Sequence, residues 1–196
     1  MSDIATPKGQ RPHSILGAGV DMLVGLLGRI PYSLVALVSR LVMARVFFLS
    51  GQARIEGPRI PVHLPLHLHL PFLGNLPTLD FAITLPRELA PATLALFETQ
   101  YAGLPMPPAV AAWLLACAEF ALPICLVIGF ATRFAALALL IITALIALLA
   151  APALWWPAHV YWMAILLPLI SLGPGAVSID ALIRTLYRRE QAPLLP

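Results

Sequence analysis

Residues 108–151 read PAVAAWLLACAEFALPICLVIGFATRFAALALLIITALIALLAA, and this stretch decides the fold. Its only charged residues are Glu119 and Arg133, and Gly129 marks the point where the apolar run turns. A helix needs roughly 20 residues to cross about 30 Å of hydrocarbon. The stretch therefore predicts two membrane-crossing helices, 108–131 and 134–151, folded back on each other across residues 129–133.

Working outward, residues 31–50 and 158–173 predict two further spans. The first carries Arg40 and Arg45, each costing about 2.5–3.5 kcal/mol on an insertion scale, so both need a partner or a path to the headgroups. The last carries Pro168, and Trp155, Trp156, Tyr161 and Trp162 around its start form an interfacial aromatic belt. Composition agrees with this reading. Of 196 residues 60% are hydrophobic and 11% charged, against about 45–50% and 25% in an average soluble domain. This excludes a single water-soluble domain and a disordered chain. The 12 Lys and Arg are scattered singly, which argues against nucleic acid as a partner. Cys117 and Cys125 stand about 12 Å apart along one helix, too far for a disulfide, and read as apolar fillers.

The expected fold is all-α: a four-helix transmembrane bundle with an interfacial amphipathic helix at each end and a small β-containing extracytoplasmic loop. Lys8, Arg11, Arg29, Arg133, Arg184, Arg188 and Arg189 fall on one side of four crossings, and Arg54, Arg59 and Arg87 on the other. Positive charge favours the cytoplasm, which predicts an inner-membrane protein with both termini cytoplasmic. Residues 1–30 form an N-terminal segment in which Ile15, Met22, Leu23, Leu26, Leu27 and Ile30 recur at helical spacing. Residues 31–186 form the membrane domain, with loop 51–107, and 187–196 a cytoplasmic tail. Gly173, Pro174 and Gly175 stop the fourth span, and Ser178 N-caps a basic helix carrying Ile179, Leu182, Ile183 and Leu186. Within the loop, 62–70 and 79–85 read as strands of a hairpin with Gly74 and Asn75 at its turn, and 91–101 as a short helix started by Pro91.

Four groups of residues could carry chemistry. Arg40 and Glu119 lie about halfway along their spans and are flanked by small residues, Ser33, Ala36, Ala44 and Gly51 against Ala112, Ala116 and Pro123. They read as a buried ion pair or as a quinone or proton site. Arg45 and Arg133, with Trp155 and Trp156, read as interfacial anchors. His159, Tyr161 and Trp162 stand at the mouth of the bundle, where they either hydrogen-bond a ligand or serve as belt. His63, His67 and His69 share strand parity and could hold Zn or Cu, or line the wet face of a hairpin. No GxGxxG, GxSxG or P-loop is present.

Four segments in order resemble the DoxX family of small four-helix bacterial membrane proteins. They are Arg40-Leu41 with Phe47, Ser50-Gly51 and Arg54; residues 93–101; residues 119–123 through 129–133; and residues 159–162 with 173–175 and 178–182. The resemblance covers roughly 34–186, and Arg54 stands where the family usually has Lys. It implies a noncatalytic inner-membrane subunit or accessory of a respiratory or quinone-linked redox complex, with other membrane subunits or further copies of itself, and lipids, as partners. Three alternatives remain open at this point: a quinone-reducing enzyme built on Arg40 and Glu119, a metal-handling protein built on the three loop histidines, and a scaffold or lipid-packing protein.

Overall fold

The computed structural model of the chain describes residues 15–64, 69–70, 74–75, 79–101, 104–149 and 152–191. Among these, four helical segments are long and apolar enough to cross a membrane: Tyr32–Arg54, Pro108–Ile128, Thr132–Leu149 and Pro152–Ser171. The helices are α1 (Ile15–Leu27), α2 (Tyr32–Arg54), α3 (Pro91–Thr99), α4 (Pro108–Ile128), α5 (Thr132–Leu149), α6 (Val160–Ser171) and α7 (Ile179–Gln191). Around the bundle the order is α2, α4, α5, α6, with α6 closing back on α2.

The helix ends follow local chemistry. Proline occupies the first turn of both α3 and α4, where its missing N–H costs nothing. Gly129 ends α4 in the left-handed conformation, φ 70°, and the Phe130 N–H closes the last turn on Cys125 O at 2.9 Å. The second span therefore stops at Ile128, and the third begins at Thr132, two residues earlier than the periodicity suggests. The first span continues past Ser50 to Arg54. The fourth starts early, through a tight turn Pro152–Leu154 and a widened turn Trp155–His159 that lead into α6. Gly173 and Gly175, both at positive φ, end the bundle before α7. The Ser178 hydroxyl oxygen caps α7 by accepting from the Ala181 N–H at 3.1 Å.

Small residues set how closely the helices approach. Ala36 and Ala44 of α2, Ala112 and Ala116 of α4, and Ala135 and Ala136 of α5 are buried with Met43, Phe47, Leu126, Leu139, Leu166 and Leu169. Leu114, Leu145, Leu148 and Leu167 point outward and are exposed, as lipid-facing positions are. A second cluster, Phe97, Tyr101, Ala111 and Ala112, seats α3 against α4 at one end of the bundle. α1 forms where the spacing predicts, but its apolar residues from Val20 to Leu27 are exposed.

The loop hairpin is antiparallel. β2 (Arg59–Leu64) pairs with β5 (Leu79–Thr84), and β3 (His69–Leu70) pairs with β4 (Gly74–Asn75). Gly74 and Asn75, expected at the turn, are ladder residues instead, opposite Leu70 and His69. Two residues at its base, β1 (Ile55–Glu56), pair with β6 (Glu88–Leu89). Gln52 ties the hairpin to α2, its Oε1 accepting from the Thr84 N–H at 2.5 Å and its Nε2 donating to Thr84 O at 3.2 Å.

Candidate functional site

The centre of the site is an ion pair that spacing alone does not reveal. Arg54 Nε donates to Glu119 Oε2 at 2.7 Å. Glu119 is 1% exposed and the Arg54 side chain 15%, so the carboxylate depends on this partner while the guanidinium still reaches out. Ser50 lines the same space as Glu119. Gly51 permits the approach, since a Cβ there would lie 3.0 Å from the backbone of Glu119. Pro123 has no N–H for the Glu119 carbonyl four residues back, which leaves that oxygen without its helical bond at the crossing.

The expected pairing of Arg40 with Glu119 does not form. Arg40 and Arg54 lie on one stripe of α2, about 21 Å apart along its axis. Arg40 sits at the α7 end, buried, with Nη2 donating to Val177 O at 2.5 Å. Arg40 and Glu119 would share one level only if the two helices ended flush. The Gly51–Glu119 crossing is three residues from the end of α2 but eleven from the start of α4, a stagger of about 12 Å.

Around Glu119 lies a partly enclosed chamber of about 120 Å3, lined by Phe47, Ser50, Arg54, Thr143, His159 and Trp162 among others. His159, Trp162, Leu166 and Leu169 fall at intervals of three and four on the inner face of the fourth span. His159 is 3% exposed, and its Nδ1 has no hydrogen-bond partner among the described residues. Its ring meets Trp162 edge-on at 5.4 Å between centroids, and Trp162 meets Phe47 likewise at 5.8 Å. The histidine expected at the mouth thus points into the bundle, with Trp162. Tyr161, about 200° around the helix from His159, is exposed and separate from both.

Two further spaces adjoin the chamber. Ser50 and Arg54 also border an open vestibule of about 400 Å3 beneath Thr93 and Leu96 of α3. Ile146 is shared with an apolar groove of about 370 Å3 between α4 and α5. Tyr101 stacks on Phe97 at 4.5 Å and lines this groove. Burial raises its phenol above the ordinary range, while Arg54 pulls it down and Glu119 pushes it up. Arg54, Glu119 and Tyr101 therefore form one electrostatic neighbourhood.

A family model, DoxX, matches residues 35–152. The chain belongs to the DoxX family. No curated protein and no solved structure matches it. The DoxX stretch includes Arg54 and Glu119 but ends before His159, so the chamber is completed by residues beyond the matched part.

The remaining candidates are dispersed. Arg45 is exposed on the outer face of α2, beside an apolar groove shared with Phe81 and Ile83 of the hairpin. Arg133 is exposed with its guanidinium against Gly173, and the end of α4 is capped by backbone N–H groups instead of by this side chain. Trp155 is half-buried and Trp156 exposed. His63 stands opposite Asp80 in the ladder, and His69 opposite Asn75. His67 lies outside the described residues, and among those described no three His, Cys, Asp or Glu gather as a metal site. Arg54, Ser50 and Thr143 are the site residues that spacing missed. The signal for Arg54 was its place in the DoxX-like segment, where the family usually carries another cation.

Proposed function

We propose that this protein is an inner-membrane component of a quinone-linked redox complex, and that the chamber holds the head of a quinone for a partner subunit. The observation that carries the reading is the buried His159, whose Nδ1 has no partner among the described residues and whose ring lines the same chamber as the Glu119–Arg54 pair. Such a group needs a hydrogen bond in a low-dielectric site. The chamber has the room of roughly four liquid waters, or of one six-membered ring.

A bound quinone would supply the exchange of two electrons and two protons. His159 would hold one oxygen of the ring, donating to a carbonyl or accepting from a hydroxyl. Glu119 would accept from a hydroxyl, and Arg54 would keep the carboxylate charged and aimed. Phe47 and Trp162 would stack around the ring and exclude water. The distribution of Lys and Arg supports cytoplasmic termini. The exposed Leu182, Ile183, Leu186 and Tyr187 of α7, beside Arg184, Arg188 and Arg189, support its lying on anionic lipid headgroups.

The test is to withdraw the protein from native membranes in a lipid-retaining polymer and quantify quinone and co-purifying proteins by mass spectrometry. Quinone near one per chain, together with a redox subunit, is expected, and Glu119→Gln or His159→Ala should lower the quinone to its bulk-lipid proportion. Bulk proportion already in the unaltered protein would overturn the reading.

A further inference from the structure

The chamber cannot hold a whole lipid-soluble ligand, because a prenyl or alkyl tail needs far more than 120 Å3. We infer that the apolar groove between α4 and α5 is the seat of that tail, so that one amphiphile spans both spaces with its ring at Glu119 and its tail leaving sideways into the bilayer. This rests on the quinone reading and extends it to the rest of the ligand.

Three observations carry it. Ile146 of α5 borders both spaces, so the two meet at its side chain. Tyr101 and Ala118, the residue before Glu119, form part of the groove wall, which puts the groove's inner end beside the ion pair. The groove is almost wholly apolar, with Leu115, Ala118 and Leu145 along it and the exposed Leu114 and Leu149 at its rim. The vestibule on the other side of Arg54 has Ser50, Thr93 and Arg54 in its wall and suits water instead. An apolar tail in a bilayer gains from close packing and not from leaving water, so the groove has to recognise the tail by shape.

The whole protein in lipid nanodiscs is titrated with 2,3-dimethoxy-5-methyl-1,4-benzoquinone, the head alone, and with its decyl derivative, empty nanodiscs supplying the correction for partitioning. Ala118→Phe fills the groove, and Leu114→Phe does so from its lipid-facing rim, where folding is least disturbed. Both variants should bind the decyl compound on the order of tenfold more weakly and the head alone unchanged. Decyl binding indifferent to both variants, with the head still bound, overturns the groove inference alone. If neither compound binds the unaltered protein, the quinone reading falls and the groove inference with it.

Discussion

Gly51 of α2 lies against the backbone of Glu119 on α4, so close that a Cβ would meet the glutamate carbonyl carbon, its oxygen and its own Cβ at 3.0 Å. All of these atoms belong to the neighbouring helix or its first side-chain carbon and cannot swing aside. Gly51→Ala should therefore push the helices apart and cost about 1–3 kcal/mol, with Gly51→Val worse. Thermal melting in detergent would register this as a lower midpoint. An unchanged midpoint for both variants would mean that the helices do not cross this tightly.

The ion pair should respond unequally to loss of either partner. Arg54→Ala strands a buried carboxylate, a change that costs about 3–5 kcal/mol where it has been measured in protein interiors. Glu119→Gln leaves the guanidinium at the vestibule with access to water and should cost much less. The double variant should recover most of the loss from Arg54→Ala. Equal losses from the two single variants would contradict the difference in burial.

How much was legible follows from what each residue competes with. The stretch 108–151 has no soluble alternative, so two spans follow from its apolar length alone, and residues 31–50 and 158–173 supply the other two. The helix starts at Ser178 and Pro91 were equally plain, because each rests on a backbone requirement of one residue, whereas the second span, expected to run to residue 131, ends at Gly129. The ion pair was hidden because pairing depends on the stagger between two helices, and stagger depends on α3 and on four more residues of α2, which the charged Arg54 made look like loop. His159 was placed at the mouth because its aromatic neighbours belong at an interface. The early turns from Pro152 to His159 instead start the helix sooner and rotate the imidazole inward.

Tyr101 offers a pH-dependent report on this neighbourhood from outside the spans. Burial raises its phenol, so the folded protein holds the proton more tightly than a free tyrosine of pKa about 10. Its contribution to stability is thus full below that value and lost as pH rises through the higher folded value. Ultraviolet titration of the unaltered protein minus Tyr101→Phe isolates this one phenol. Glu119→Gln, which removes the neighbour pushing it up, should lower the midpoint, and Arg54→Gln should raise it. A midpoint unmoved by either would place Tyr101 away from the pair.

At the opposite end of the bundle, Asp180 of α7 holds the turn between α4 and α5. Its carboxylate accepts from the Ala131 N–H at 2.8 Å and the Thr132 N–H at 2.9 Å, and its own N–H donates to Gly129 O at 2.9 Å. These bonds hold Ala131 at φ 45°, a left-handed conformation that a side chain disfavours by roughly 1–2 kcal/mol. Asp180→Ala removes two charge-assisted bonds at the start of α5 and should cost about 1.5–3 kcal/mol for each bond that water cannot replace. Ala131→Gly should be neutral or stabilising on its own, and it should soften the effect of Asp180→Ala, since the turn then needs less restraint. Melting midpoints of the two single variants and the double test this directly. Effects that simply add would show that Asp180 does not act by holding the strained turn.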